Sequence, residues 1–388
     1  MQILPDVLIA AAREQTGLND FGDGSFREGL DVFCESAASE AQLNQIGEAV
    51  VPGALLACLM NRLRVVDWVK RHPEVSDESI RAPFVVVGMF RAGTTFLSYL
   101  LEKDPRHRPL LRWEAGDSVP PPTPATSSTD ARIAAARTAM AMLDQINPRV
   151  RLVQSEEADG PTECISVLNQ DFKSLLWEAM ANVPTYGRWL QTTDHQSAYD
   201  YHRTVLRLLQ SGGVRGRWSL KSPHHALHLD ALTSVYPDAR LVLMHRDPVV
   251  LCASVCSLIT TLTKTFSDAD HRRYIADHWT DMLARSIDAV DTFRNAHRDR
   301  LIVDVHYADL VRDPLGTIRR VYAAFGDELD GRALRAMAEY VESHPKGRFG
   351  HHAYDVAEFG LDAELITDRF RRYVEHYDIP LEQSAKDS

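Results

Sequence analysis

Two groups of residues in this 388-residue chain have types and spacings suited to holding anions. The first is Gly88-Met89-Phe90-Arg91-Ala92-Gly93-Thr94-Thr95, with the glycines spaced G-x-x-x-x-G. Such a loop turns its backbone N–H groups toward one point, and a helix start behind it adds partial positive charge there. The threonine hydroxyls and Arg91 complete the cradle. A triphosphate-binding loop has lysine directly after the second glycine, where Thr94 stands here. The cradle is therefore better suited to a single phosphate than to a triphosphate. A glycine turn without a ligand is the plain alternative.

The second group is Arg246 with Ser254 farther along the chain. A guanidinium fork and a hydroxyl are both good phosphate ligands. Read by itself, Arg246 could equally pair with its neighbour Asp247. Taken together, the two groups give separate anion sites on neighbouring strands, which suits a nucleotide phosphorylated at both ends.

These residues need rigid elements behind them. Phe84–Val87 is a β-branched run of strand length, and Thr94 onward reads as a helix with Phe96, Leu97, Leu100 and Leu101 on one face. Arg217–Leu220 and Ala239–Met244 read as further strands, each followed by a helix, and Pro248 suits the first turn of the second helix. Leu301–Val305 is another strand, ahead of Tyr307 and a turn through Leu310. Strand–helix alternation of this kind implies a parallel sheet in a three-layer core. Ligands bind such sheets off the strands' carboxyl ends. Four clusters fall there: Arg91–Thr95, Lys221–His225, His245–Asp247 and Tyr307.

Around this core, residues 1–80 read as an all-helical shell packed on the sheet, with Leu55–Lys70 one of its helices. Residues 115–212 read as a mostly helical cap insertion that opens with a proline- and serine-rich loop, and residues 315–388 as a helical C-terminal part. The expected organisation is a single structural domain, with 81–388 as its α/β portion. Trp113, Phe172, Trp177, Tyr186 and Trp189 either line an apolar pocket under the cap or form its core.

Composition excludes several classes. An apolar fraction of 45% and a charged fraction of 25% describe a globular chain, and a net charge of −11 argues against a nucleic-acid partner. Five scattered cysteines read as reduced packing residues, and no metal-ligand cluster accompanies Cys252 and Cys256. The N-terminus lacks the pattern of a signal peptide, and the longest apolar run, Ala49–Met60, is too short to span a bilayer. The expectation is a cytoplasmic protein without an integral membrane segment.

GMFRAGTTF, SLKSPHHALHLDALTSVYPDARLV and LMHRDPVVLCASV, in that order, resemble the sulfotransferases that use 3′-phosphoadenosine 5′-phosphosulfate, PAPS, as donor. The middle stretch, the opening TGLNDFGDGSFREGL and the tail FGLDAELITDRFRRY are similar to the family's bacterial branch, so the likeness covers almost the whole chain. It implies a P-loop-like α/β fold with a central parallel sheet, flanking helices and the cap insertion. The implied reaction moves a sulfuryl group from PAPS to a hydroxyl or amine, leaving 3′-phosphoadenosine 5′-phosphate, PAP. The acceptor is a small molecule, lipid or glycan left unidentified, no metal is implied, and a homo-oligomer stays open.

Carried over by position, the resemblance puts Arg91, Ala92, Gly93, Thr94 and Thr95 around the 5′-phosphosulfate, and Arg246 and Ser254 on the 3′-phosphate. Phe96 takes a position where an aromatic often stacks on adenine, Tyr307 matches a tyrosine touching the base, and Lys346-Gly347 resembles a late loop over the 3′-phosphate. Two departures stand out. Phe90 and Ala92 replace the loop's usual proline and serine, and the missing hydroxyl bears more on catalytic rate than on binding.

Lys221 or Arg91, with the loop N–H groups, is expected to stabilise the departing oxygen; one such donor is worth about 3 kcal/mol. His224 or His225 is favoured as the base, since histidine has a suitable pKa, and Glu114 is the other option. One of the histidines could instead pack or cap, and Glu114 could pair with Arg112. The rival readings are a P-loop small-molecule kinase and a non-catalytic nucleotide-binding protein of the same fold.

Overall fold

β1, Phe84–Gly88, is the centre of the molecule's only described sheet, and all five of its residues are buried. Val85, Val86 and Val87 suit a strand covered on both faces. Its neighbours are β3, Arg217–Ser222, and β4, Arg240–His245; β2, His107–Pro109, and β5, Ile302–His306, are the outer strands. The order is β2-β3-β1-β4-β5, and every pairing is parallel. A computed structural model describes residues 3–150, 156–344 and 356–382.

Parallel pairing puts all carboxyl ends on one edge. Gly88 lies opposite Met244, Val87 opposite Ser222, and His245 opposite His306. From β1 the chain goes first to the β3 side and later to the β4 side. The sheet therefore has its topological switch beside β1, where ligands of such sheets bind. The expected strands are present with their ends moved by a residue or two. The three-residue β2 is additional, and the turn expected after Tyr307 is a helix, Tyr307–Arg312.

Within the chain two compact units can be distinguished. The sheet unit comprises residues 81–109, 216–260 and 271–388; the other comprises 1–80, 110–215 and 261–270. The N-terminal shell and the inserted cap thus belong to one helical unit. Their apolar faces meet each other: Phe33 packs on Trp177 and Tyr186 with ring centroids 5.2 and 5.5 Å apart. Phe172 stacks on Trp177 at 5.5 Å, and the Tyr186 hydroxyl donates to the Phe172 carbonyl at 2.8 Å. Trp113, Phe172, Trp177 and Tyr186 are buried and so act as core. Trp189 is half-buried and donates from Nε1 to Glu28.

The long helix Gln45–Arg71 begins earlier than expected, because Asn44 caps it and Pro52 is absorbed within it. It and Pro248–Phe266 are long and apolar enough to cross a membrane by length and composition, with 44% and 56% of their apolar windows buried in the protein. The first carries Arg62, which is buried and ion-paired to Asp171 at 2.9 Å, an arrangement suited to a core helix. Arg62 also reaches Asp23 at 3.0 Å and lies over the Tyr201 ring at 4.6 Å. None of the five cysteines is in a disulfide, and burial pushes the thiols of Cys34, Cys58, Cys252 and Cys256 up to about 12.

At the amino ends of the strands, Arg217 and Arg240 share Asp327. Nearby Asp104 takes hydrogen bonds from Arg106 at 2.6 Å and from the Tyr322 hydroxyl at 2.8 Å. Burial would raise the Asp104 pKa, but these donors outweigh it and hold the group at about 2.

Candidate active site

The loop after β1 is held by two close approaches and one left-handed residue. A side chain at Gly88 would meet Thr94 Cγ2 at 2.7 Å, and one at Gly93, where φ is +92°, would meet the Tyr307 ring at 2.6 Å. Arg91 adopts the left-handed region at φ 69°, a costly conformation for a residue with a side chain. The helix Thr94–Glu102 starts directly behind, with Gly93 as its N-cap and no side-chain cap. Its first N–H groups are therefore directed to the loop's concave side.

Charge converges on this loop from three strands. Lys221, near the end of β3, is buried, and its Nζ donates to Thr95 Oγ1 at 3.2 Å. Arg91 Nε donates to Ser254 Oγ at 2.9 Å, from a serine two turns into the helix that follows β4. Arg246, just past β4, donates from Nη1 to the Arg91 carbonyl at 3.1 Å, and its guanidinium lies 4.0 Å over the Tyr307 ring. Tyr307, just past β5, thus touches both Gly93 and Arg246. The two anion groups expected as separate sites adjoin, and Ser254 joins them through Arg91.

Arg246 does not pair with Asp247. Its Nε and Nη2 make a fork to Glu382, at 2.6 Å to Oε1 and 3.0 Å to Oε2. Asp247 instead accepts from the Val249 and Glu382 N–H groups, at 2.8 and 2.7 Å, which ties up both its oxygens at a helix start. Burial raises the Asp247 pKa despite these bonds. Below Arg246, His245 bonds Tyr373 through Nδ1 at 3.1 Å and Asp304 through Nε2 at 2.7 Å. Burial lowers the His245 pKa against the pull of Asp304, and the ring's Nδ1 contact orients Tyr373. The Tyr373 hydroxyl also accepts from the Arg246 N–H at 3.4 Å.

The candidate bases lie in different units. His224 and His225 are wholly buried in the 3-10 turn Pro223–Leu227 after β3, where Ser222 supplies the cap by accepting from the His224 N–H at 3.2 Å. The His224 ring packs 4.6 Å from that of His228. Glu114 belongs to the helical unit, is buried, and accepts from the Leu111 N–H at 3.4 Å within its own helix, Arg112–Gly116. Arg112 pairs with Glu156 at 2.5 Å, not with Glu114. Phe96 stacks on Tyr340 at 6.4 Å, and Tyr340 lies parallel to Tyr99. Lys346 and Gly347 lie outside the described residues.

Sequence reasoning missed Glu382, Tyr373, Asp304 and Tyr340. Glu382, Tyr373 and Tyr340 come from the C-terminal part of the chain, Asp304 lies in β5 just before Tyr307, and their residue types alone do not separate them from ordinary helix or strand residues.

A five-stranded parallel sheet with flanking helices and a basic cluster over its central glycine loop defines an α/β protein of the P-loop-like kind. Residues 83–331 match the family model described as "Sulfotransferase family", and the chain belongs to that family. It is accordingly an enzyme that takes a sulfuryl group from a donor. Among solved structures, the chain is similar to sulfotransferase STF9 from Mycobacterium avium, with 32% identity, a TM-score of 0.88 and 97% of each chain covered. It is similar also to STF1 from Mycobacterium tuberculosis, with 32% identity, a TM-score of 0.84, and 94% of this chain and 97% of that one covered. Among curated proteins, omega-hydroxy-beta-dihydromenaquinone-9 sulfotransferase Stf3 from Mycobacterium bovis is 25% identical over 314 residues, 75% of this chain and 74% of that protein.

Proposed function

We propose that this enzyme transfers the sulfuryl group of PAPS to a hydroxyl of a small-molecule or lipid acceptor in the cytoplasm. The observation that supports this most is the 3.1 Å contact from the Arg246 guanidinium to the Arg91 carbonyl, with Tyr307 against both elements. It sets two cationic elements side by side on one sheet edge, as a nucleotide with a phosphate at each end requires.

The donor supplies an activated sulfuryl group on its 5′-phosphate; the chain's part is to bind, orient and neutralise. Gly93, Thr94 and Thr95 offer helix-start N–H groups and hydroxyls to the 5′ end, with Arg91 and Ala92 forming the loop wall. Arg246 offers the 3′-phosphate its fork, and Ser254 steadies Arg91 beside it. Lys221 holds the negative charge that grows on the departing oxygen, a role supported by its 3.2 Å hydrogen bond to Thr95. Phe96 supplies a ring edge for adenine, and the role of Lys346-Gly347 over the 3′-phosphate rests on the resemblance alone, since both lie outside the described residues. His224 or His225 is the preferred base and Glu114 the alternative. Charge held by Lys221, Arg91 and backbone N–H groups leaves no step that calls for a metal, so turnover is expected to withstand a chelator.

Stf3 is named for a hydroxylated dihydromenaquinone. That makes an apolar alcohol the first acceptor class to try, ahead of sugars and phenols, in a screen with labelled PAPS. Calorimetry with PAP and with ATP–magnesium tests the donor. The proposal expects PAP to bind tightly and ATP weakly; ATP bound more tightly with a magnesium requirement would favour a kinase. For the base, His224→Ala, His225→Ala and Glu114→Ala are to be assayed for turnover with PAP affinity measured alongside. One of them is expected to lose turnover by about 100-fold while keeping PAP affinity. Full activity in all three would remove every candidate base.

A further inference from the structure

A carboxylate and a phosphate ask the same thing of an arginine: two parallel N–H donors in one plane. In the structure that place on Arg246 is taken by a residue of the chain itself. Glu382 lies 136 positions along the sequence and presents both oxygens to the fork, at 2.6 and 3.0 Å. The pairing is anchored on each side. The Glu382 N–H donates to Asp247 at 2.7 Å, and Ile379 is buried just before it, with its N–H bonded to the Val374 carbonyl at 3.0 Å. Consecutive residues just past β4, Arg246 and Asp247, therefore grip the side chain and the backbone of one residue, Glu382.

The pair is not sealed. The Glu382 side chain keeps 33% of its surface exposed and that of Arg246 keeps 15%, so water and solutes reach the carboxylate. A phosphate monoester brings a charge of roughly −1.5 to −2 near neutral pH, against one negative charge on the glutamate. The stronger anion can displace the weaker, at the cost of breaking the existing fork.

Resting on the PAPS reading above, we propose that residues 379–382 form an autoinhibitory strap, with the Glu382 carboxylate occupying the 3′-phosphate position on Arg246 until the nucleotide displaces it. The strap lowers the apparent affinity for 3′-phosphorylated nucleotides by the fraction of molecules in which it is docked. Its direct effect falls on the 3′-phosphate, because its side-chain bonds go to Arg246 and its backbone bond to Asp247.

The test is calorimetric titration of the full chain, its Glu382→Ala variant and its Glu382→Gln variant with PAP and with adenosine 5′-phosphate, which lacks the 3′-phosphate. Thermal melting serves as the folding control. Glu382→Ala is expected to bind PAP roughly tenfold tighter, the equivalent of one charge-assisted pair, with adenosine 5′-phosphate changed by less than about twofold. Glu382→Gln keeps the shape, drops the charge and is expected to fall between. If the native chain binds PAP and the folded variants bind it no tighter, the strap is refuted while the donor reading stands. An equal gain for both nucleotides also overturns it, because the effect would not be local to the 3′-phosphate. If no form binds PAP, the strap and the donor reading fall together.

Discussion

Arg62 and Arg246 are largely buried arginines, one in each unit, and each meets a carboxylate through its guanidinium. The company they keep differs. Arg62 pairs with Asp171, which is wholly buried, and its remaining donors reach Asp23, the Phe21 carbonyl and the Asp23 backbone, while Tyr201 lies under its plane. Its charge goes to Asp171 in the core and to Asp23 at the rim, both fixed parts of its own unit. Arg246 meets a carboxylate on the chain's terminal segment that solvent still reaches, and it stacks on an aromatic ring that also touches a phosphate-type loop. A cation closed in by its own core serves stability, whereas one opposed by a replaceable anion is set up for a ligand. Burial alone does not distinguish the two; the source of the counter-charge does.

The comparison can be broken, and the largest expected effect lies on the Arg62 side. Arg62→Ala takes from Asp171 its closer cation, leaving Lys173 at 3.9 Å, and is expected to cost about 3 kcal/mol in chemical denaturation. PAP affinity per folded molecule should be unchanged. A loss below about 1 kcal/mol would show that the Arg62 network is not a structural core pair.

Lys221 sharpens the contrast, being as buried as Arg62 but set against the Thr95 hydroxyl at the helix start. Lys221→Met keeps the stem's bulk and is expected to lower turnover by roughly 100-fold, near the 3 kcal/mol of one transition-state donor. Its melting temperature should stay close to native. Unchanged turnover would take Lys221 out of the chemistry.

Arg246→Ala comes next. Loss of charged hydrogen bonds worth about 1.5–3 kcal/mol should weaken PAP binding by roughly 10- to 100-fold, with the fold intact. Native affinity in that variant would remove Arg246 from the site.

The smallest effect concerns pH. Asp104 is held at about 2, below the 3.8 ordinary for an aspartate, so its contribution to stability is complete above about pH 4 and drains away as pH falls toward 2. Asp104→Asn is expected to flatten the acid limb of a stability-versus-pH curve in that window. An unchanged acid limb would mean that the Arg106 and Tyr322 bonds do not persist in solution.

How much of this could be read from sequence followed from the range of each interaction. The valine run of β1, the glycines around Arg91 and Pro248 at its helix start are local signals, so the strand, the loop and the helix were legible. So was the placing of Arg246 and Tyr307 at strand ends, since parallel alternation forces those ends onto one edge. What escaped needed partners from far along the chain. The three residues of β2 carry too little pattern to announce a strand. The shell and cap helices signal that they must bury apolar faces, but not that Phe33 will find Trp177 and Tyr186. Nor does anything near Asp247 foretell that Arg246 will pass it over for Glu382; Asp247 is engaged by the Val249 and Glu382 N–H groups, which a local pairing rule ignores.

A crystal structure of the chain with PAP bound bears most directly on the claim that the Arg91 loop and Arg246 form one nucleotide clamp. The account predicts the 3′-phosphate on the Arg246 fork and the 5′-phosphate against the N–H groups of Gly93, Thr94 and Thr95. A nucleotide lying elsewhere, or with its 3′-phosphate facing solvent while Arg246 stays paired to Glu382, would contradict it.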